Sequence, residues 1–231
     1  MNLGVVGRHR GPAIVGLVVV AIVVVVSAVV WAGTRGGGGR SAEPAGGSAP
    51  AGPAAELAGL ASRAATTFDV VYTVSDPRLG PTTAHQWRRG PLGRLDTESG
   101  QGDSATSSVQ VLSTSGPVAC SRTGTMPWSC APKPGLKLAD VGVVPAEVVA
   151  SLSKLSVSVG DDRIAGQAVR CFTVTDPTVT TTTAGAITTG ELCLTSDGVP
   201  LRLVAGSTHI EAVSFSRIRP PDSVFKPPAG P

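Results

Sequence analysis

The stretch TTGELCLTSDGVPLRLVAG, from Thr188 to Gly206, contains the clearest hairpin signal in the chain. At its centre is Asp197-Gly198, a turn dipeptide that tolerates a positive φ at both central positions of a hairpin. Apolar and polar residues alternate on both sides of this dipeptide, as they do in half-buried strands. The stretch therefore predicts a β-hairpin with one apolar and one polar face.

A two-residue turn fixes the register of this hairpin. It places Leu194 opposite Leu201 and Leu192 opposite Leu203. Because side chains alternate between the two faces of a strand, these four leucines share one face. Cys193 projects from the other.

A third strand, from His209 to Phe215, extends the hairpin into a meander. Pairing Leu203 with Ile210 continues the apolar face. The same register puts Glu211 opposite Arg202 on the polar face, which is a favourable cross-strand charge pair.

The C-terminal region carries a family resemblance. Asp-Gly, then Val-Pro-Leu-Arg-Leu, then a strand, then PPDSVFKPP from Pro220 to Pro228, resembles the end of the LolA/LolB-like lipoprotein-carrier superfamily. That superfamily includes actinobacterial lipid-binding lipoproteins and periplasmic sigma-factor regulators. The resemblance covers about residues 54–228 and implies an α+β fold: a curved antiparallel sheet, or half-barrel, with helices on its concave side.

The resemblance also implies a hydrophobic cavity that holds lipid or lipoprotein acyl chains. The residues that would line it are those of the predicted apolar face: Phe172, Val174, Leu192, Leu194, Leu201, Leu203, Ile210 and Ala212, with Val70 and Tyr72. A sealed core would need the same composition, so the sequence leaves both interpretations open.

An uninterrupted apolar run, IVGLVVVAIVVVVSAVVWA, extends from Ile14 to Ala32. At about 1.5 Å per residue it spans roughly 28 Å, close to the thickness of a bilayer core. Arg8 and Arg10 precede it, which favours a cytoplasmic N-terminus of residues 1–13. The run predicts a single-pass anchor in the cell membrane. A cleaved signal peptide, with secretion of the domain, is the alternative, but its apolar region is usually only about 7–15 residues long.

Residues 33–53 are mainly Gly, Ala, Pro and Ser, which predicts a flexible linker. Residues 54–231 then form one extracytoplasmic domain. No cysteine follows the apolar run closely, so the lipid attachment found in many members of the superfamily is not expected here.

Periodicity predicts the remaining elements of this domain. Helices are expected at Ala54–Thr66 and Pro145–Leu155, strands at Phe68–Ser75, Thr82–Arg89, Gly93–Ser99, Ser108–Leu112, Leu155–Val159 and Gln167–Thr175, a turn at Asp161-Asp162, and a threonine-rich loop at Thr178–Thr189.

The chain has four cysteines, and export behind an apolar segment favours disulfides. Their order suggests Cys120–Cys130 and Cys171–Cys193 among three possible connectivities. For the second pair there is also a geometric argument, because pairing Phe172 with Leu192 sets the two cysteines opposite each other on the polar face. Zinc is the alternative, but no CxxC or histidine-ligand spacing is present.

Charge and motifs exclude several functional classes. The net charge of +3 comes from scattered arginines, with no basic run of the kind that nucleic-acid binding requires. The three histidines, His9, His85 and His209, have no accompanying catalytic motif, and neither a nucleophile elbow nor a phosphate-binding glycine loop occurs. The sequence predicts neither an enzyme nor a cofactor.

Three functional hypotheses remain. The first is a membrane-tethered domain that binds or carries a hydrophobic ligand, as the resemblance implies. The second is a non-catalytic sensor or protein-binding module that contacts another envelope protein through the polar strands near Trp87 to Arg94. The third is a structural protein of the envelope.

Overall fold

A computed structural model describes residues 52–63, 66–77, 79–138, 156–175 and 189–228. The predicted anchor, almost all of the linker, the predicted helix Pro145–Leu155 and the threonine-rich loop up to residue 188 lie outside these ranges. Among the described residues, no helix is long and apolar enough to cross a membrane.

One α-helix and eleven strands are formed by the described residues. They are α1 (Pro53–Ser62), β1 (Thr67–Ser75), β2 (Thr82–Arg89), β3 (Leu92–Ser99), β4 (Thr106–Ser113), β5 (Gly116–Thr123), β6 (Ser129–Pro132), β7 (Ser156–Ile164), β8 (Gln167–Thr175), β9 (Thr189–Leu194), β10 (Pro200–Ala205) and β11 (Thr208–Ser216). Two 3₁₀ turns, Gly102–Ser104 and Asp222–Phe225, complete the list.

All eleven strands belong to one open antiparallel sheet with the order β6-β5-β4-β3-β2-β1-β11-β10-β9-β8-β7. The edge strand β7 nevertheless comes within 8 Å of β11 at Cα, although three strands separate them. Neighbouring strands lie about 4.8 Å apart, so a flat sheet would hold these two much further from each other. The sheet is therefore strongly curled at this end, in agreement with the curved antiparallel architecture that was predicted.

Helix α1 packs on the apolar face of the sheet. Leu57 and Leu60 are buried there, while Glu56 faces outward and accepts hydrogen bonds of 2.8 and 3.0 Å from Arg170 on β8. These hydrogen bonds lower the pKa of Glu56. The helix ends at Ser62, four residues earlier than predicted, and the Arg63 side chain then donates to the Ser196 carbonyl.

The β9–β10 turn differs from the prediction by one residue. Thr195 N donates to Val199 O, so the loop has three residues, and Gly198 adopts a positive φ of 85°. The Thr195 hydroxyl also accepts the Val199 amide proton at 2.9 Å, which favours the longer loop. A type I turn followed by a left-handed glycine is a common three-residue hairpin connection.

The longer loop changes one of the predicted leucine pairs. Leu194 lies opposite Pro200 instead of Leu201, and a bulge between Pro200 and Arg202 then restores the phase. Leu192 consequently faces Leu203, as predicted. Leu201 stays fully buried.

The predicted turn at Asp161-Asp162 is wrong, because both residues lie inside β7. Their carboxylates pair with arginines at 2.8 Å: Asp161 with Arg170, and Asp162 with Arg202. The turn occurs instead at Ala165-Gly166, where both residues have positive φ, at 47° and 76°. Two consecutive residues of this conformation match the right-handed twist of a hairpin.

Both predicted disulfides are present. Cys171 on β8 faces Cys193 on β9, and Cys120 on β5 faces Cys130 on β6. The first bond joins strands in the register that places Phe172 opposite Leu192. The second closes the β5–β6 hairpin, which the sequence suggested only as a pair of cysteines around turn-forming residues.

Candidate functional site

The ten residues predicted to line a ligand cavity lie in one buried cluster, with Leu57 and Leu60 of α1 packed among them. Each is less than a tenth exposed: Val70, Tyr72, Phe172, Val174, Leu192, Leu194, Leu201, Leu203, Ile210 and Ala212. The predicted apolar face is therefore assembled by the sheet. Whether a hydrophobic ligand can enter this cluster stays a prediction.

On the opposite face, a charge cluster covers the Cys171–Cys193 bond. Arg202 contacts Glu211 at 2.6 Å, Asp162 at 2.8 Å and Glu191 at 3.2 Å. The predicted Arg202–Glu211 pair is thus confirmed. All cysteines among the described residues are in disulfides, so their sulfur atoms are not free thiolates for a metal.

A half-open recess of about 360 Å³ lies on the same polar face, over strands β1 to β5. Ser107 and Val109 on β4 line it. One wall is formed by His85 and Trp87 on β2, and the other includes Trp128, which follows the β5–β6 turn. The recess also contacts Val71, Thr83, Ala84, Asp96, Thr97, Glu98, Ser108 and Arg122.

The β2 wall is held by contacts along its own face. His85 Nε2 lies 2.6 Å from Asp69 Oδ1 on the neighbouring β1. The His85 and Trp87 rings stack with centroids 3.4 Å apart. These two contacts fix the orientation of both rings.

The opposite wall depends on the Cys120–Cys130 disulfide. The bond ties the two strands that flank the loop carrying Trp128, and Trp128 packs on a small second core of Val109, Val111 and Cys120. The loop is also held at Gly124, whose amide donates to Ala105 O at 2.7 Å. Gly124 has a φ of 53°, and an added Cβ would collide with the backbone of Asp103.

The C-terminal segment borders the recess. Its 3₁₀ turn, Asp222–Phe225, packs on β3 and β4, and Phe225 is only 4% exposed. Arg94 donates to the carbonyls of Val224 at 2.9 Å and Lys226 at 3.1 Å, while Asp96 accepts two further hydrogen bonds from the same guanidinium. Because Asp96 also lines the recess, the two features are adjacent.

Two opposite charges at the recess have no ion pair with any other described residue: Glu98 and Arg122, both exposed. Ser107 on β4 pairs with Glu98 on β3 at one side and with Arg122 on β5 at the other. Two strand spacings put their backbones about 10 Å apart. Arg122 also stacks on Trp128, with its guanidinium carbon 4.6 Å from the ring centre.

The polar strands near Trp87 to Arg94, through which a partner was predicted to bind, do not present a free basic patch. Arg89 pairs with Asp222 and Arg94 with Asp96. Arg88 projects to the other face, where burial lowers its pKa and leaves Nε without a hydrogen-bond partner. These arginines are therefore not available as a group to attract an acidic partner surface.

Sequence reasoning found one wall of the recess and missed the other. Trp87 lies in the predicted partner-binding strands, but Trp128 and Arg122 were not singled out. Both residues lie between Cys120 and Cys130 in the sequence, so the predicted disulfide could have drawn attention to them. Their approach to Trp87 depends on the order of four strands, which no local pattern reports.

The recess does not contain a recognisable nucleophile-activating arrangement. Asp69 orients His85, but no described hydroxyl or thiol makes a hydrogen bond with the imidazole. His209, the other described histidine, lies 3.3 Å from Glu211 in the separate charge cluster.

No protein-family model matches the sequence, and neither does any curated protein. Among solved structures, the chain is similar to MucB, crystallised in complex with MucA(peri), with 15% identity and a TM-score of 0.48 over 76% of this chain and 59% of that one. It is also similar to an uncharacterized conserved protein from Thermus thermophilus, with 13% identity and a TM-score of 0.42 over 75% and 92% of the two chains. The chain thus spans less than two thirds of the MucB chain. Likenesses of this size carry no functional argument, and the family resemblance drawn from the sequence stays a prediction.

Proposed function

We propose that this chain is a non-catalytic binding domain of the cell envelope, which docks a partner protein on the sheet face that contains the recess. The observation that carries the proposal is the pair of tryptophans, Trp87 and Trp128, on opposite sides of a half-open recess of about 360 Å³. Tryptophan and arginine are enriched among the residues that dominate protein–protein binding energy.

The surroundings of the recess support the same interpretation. Met126, 65% exposed, lies two residues before Trp128, and Val213, 57% exposed, lies in the β11 bulge beside Val71. Large apolar side chains surrounded by polar groups are typical of interaction surfaces. Aromatic residues, methionine and arginine are the types enriched at interfaces, and each type is present here.

The envelope location rests on the predicted membrane segment 14–32 and on the two disulfides. Disulfides form and persist in oxidising compartments, which include the bacterial periplasm and cell surfaces. A recess facing outward from a tethered domain would meet partners in that compartment.

A photo-cross-linker at position 98 of the full chain, in intact cells, tests the proposal. Glu98 is at the edge of the recess and exposed, so p-benzoylphenylalanine there replaces no buried side chain. We expect a discrete cross-linked product that contains a second polypeptide. The matched control is Ser158, which is exposed on the distant edge strand β7. Absence of the product, or the same product from position 158, would contradict the proposed function.

A further inference from the structure

The polar face of the sheet already holds one peptide segment, the chain's own C-terminal segment, which contains the 3₁₀ turn Asp222–Phe225. Arg89 donates to the carbonyl of Pro220 at 2.9 Å, and Arg94 donates to the carbonyls of Val224 and Lys226. The apolar anchor of the segment is Phe225, which is buried beneath the guanidinium of Arg89. This face thus binds main-chain carbonyls through arginine and one apolar side chain through packing.

Arg94 can do this because its guanidinium is held in place. Asp96 accepts from Nε and Nη2, and the Trp87 ring lies 5.5 Å from the guanidinium carbon. The remaining nitrogen, Nη1, makes both carbonyl contacts. An arginine whose planar group is pre-organised loses less side-chain entropy for each hydrogen bond it forms.

Arg122 and Trp128 repeat only the arginine–indole contact of this arrangement, on the other side of the recess. The guanidinium of Arg122 stacks on Trp128 at 4.6 Å, closer than Arg94 lies to Trp87. Unlike Arg94, Arg122 makes no hydrogen bond or ion pair within the described part of the chain. Arg122 is exposed, its backbone lies opposite Ser107, and both residues line the recess.

The charges around the recess argue against a strongly charged ligand. Glu98 would repel a polyanion that approached Arg122, and Arg122 would repel a polycation that approached Glu98. A neutral main chain carries both carbonyl acceptors for a guanidinium and amide donors for a carboxylate, so it suits both charges at once.

We infer that the recess binds a largely uncharged peptide segment of the partner protein, an inference that rests on the proposed function. Arg122 donates to a main-chain carbonyl of that segment. One apolar side chain packs on Val109 between the indoles of Trp87 and Trp128. The partner segment therefore lies next to the chain's own C-terminal segment and is held by the same kind of contacts.

Peptide selection on the full chain tests this inference. Displayed random peptides are selected on the full chain, and the enriched peptides are then titrated while tryptophan fluorescence is recorded. The chain has three tryptophans, so a Trp31→Phe background leaves only the two indoles of the recess as reporters. We expect enriched peptides with a shared apolar anchor that change this fluorescence.

Two variants then locate the contact. Arg122→Met, an exposed change that retains an apolar stem over Trp128, should weaken peptide binding by about tenfold or more, as expected for loss of a central arginine contact. Arg163→Met is the matched control, because Arg163 is exposed on β7 and bonds only locally, to Gly166 O. It should leave the affinity unchanged.

Three results would overturn the inference. They are equal peptide affinity of the Arg122→Met chain, enrichment of no peptide that perturbs the indoles, and fluorescence changes produced by neutral oligosaccharides in place of peptides. If any of them occurs while position 98 still cross-links a protein, the proposed function stands. Only the proposed binding of a peptide segment in the recess is then contradicted. Absence of that cross-link contradicts the function itself.

Discussion

Cys171 and Cys193 face each other across β8 and β9, with Cα atoms 3.9 Å apart, and their bond fixes the register of the apolar face. The cysteines are 22 positions apart. Closing a loop of this order restricts the unfolded chain and contributes roughly 3 kcal/mol in the chain-entropy model. A typical domain has only about 5–15 kcal/mol of net stability, so this is a large share.

The first prediction therefore concerns this bond. Cys171→Ser and Cys193→Ser should each lower the free energy of unfolding by a similar amount, and the double variant should be no less stable than either single one. Cys120→Ser should act independently of both and match Cys130→Ser. Denaturant titration gives the free energy of unfolding of each of these five variants. If the losses in free energy of unfolding from Cys171→Ser and Cys193→Ser add up in the double variant, the two residues do not share a cross-link. Peptide mapping that finds Cys120 linked to Cys171 would contradict the same pairing.

The second prediction concerns Gly198, where the β9–β10 turn meets the end of α1. Its φ is 85°, and an added Cβ would collide with the carbonyl oxygens of Leu60 and Arg63. Gly198→Ala should therefore cost more than the roughly 1–2 kcal/mol of left-handed backbone strain alone. Gly166→Ala is the matched control, since Gly166 has a φ of 76° but no atom near its missing Cβ. Equal losses in thermal denaturation would show that the helix does not pack on the turn.

The third prediction concerns Tyr72, the only tyrosine of the chain. It is 1% exposed and donates to Pro200 O at 2.8 Å, and burial raises its pKa far above the ordinary value. An unfolded tyrosine loses its proton near pH 10, whereas the folded one keeps it. The stabilising contribution is therefore complete below about pH 10, and it falls by about 1.4 kcal/mol per pH unit above that.

Tyrosinate absorbance measured with denaturation at alkaline pH tests this point. The absorbance should appear together with unfolding. Tyr72→Phe should remove the tyrosine part of the alkaline slope while costing about 0.5–1.5 kcal/mol at neutral pH through the lost hydrogen bond. Tyrosinate in the folded chain near pH 10 would contradict the burial of this hydroxyl.

The fourth prediction separates a packed core from a lipid cavity. If the apolar cluster is a sealed core, Leu203→Trp overpacks it and costs typically about 1–3 kcal/mol, with no change in lipid recovered with the protein. Should the cluster hold acyl chains, the same change lowers the lipid recovered and leaves the fold intact. Val213→Trp, an exposed change on the other face, is the control. Mass spectrometry of extracted lipids, beside thermal denaturation, distinguishes the two outcomes.

Much of the sheet follows from local patterns. The bounds of β2 and β8 agree with the prediction, and Leu203 pairs with Ile210 as expected, because alternation and a buried face together specify register. The β9–β10 turn could not be derived, since the Thr195 hydroxyl accepts a hydrogen bond from the Val199 amide and so selects a loop one residue longer than the dipeptide signal indicates. Asp161 and Asp162 were misjudged for a related reason. Asp161 is paired with Arg170, nine positions away on the next strand, and Asp162 with Arg202, 40 positions away, and these partners permit acidic residues inside a strand.

The recess was less predictable than the sheet. Trp87, Val109 and Trp128 come from separate strands and a loop on the polar face of the sheet, where Val109 is nevertheless buried in the small second core. Their convergence depends on strand order, on the Cys120–Cys130 bond and on the C-terminal segment returning to β3. None of these long-range relationships leaves a periodic signal.

The most direct test of the account is the yield of the cross-link from position 98 in intact cells, compared between the full chain and its Arg122→Met variant. If the partner binds in the recess, we expect a discrete cross-linked product that contains a second polypeptide. Its yield should be greatly reduced by Arg122→Met and unchanged by Arg163→Met. Absence of the product from the full chain would contradict the claim that this face of the sheet binds a protein partner, and equal yield in all three chains would contradict the contact at Arg122.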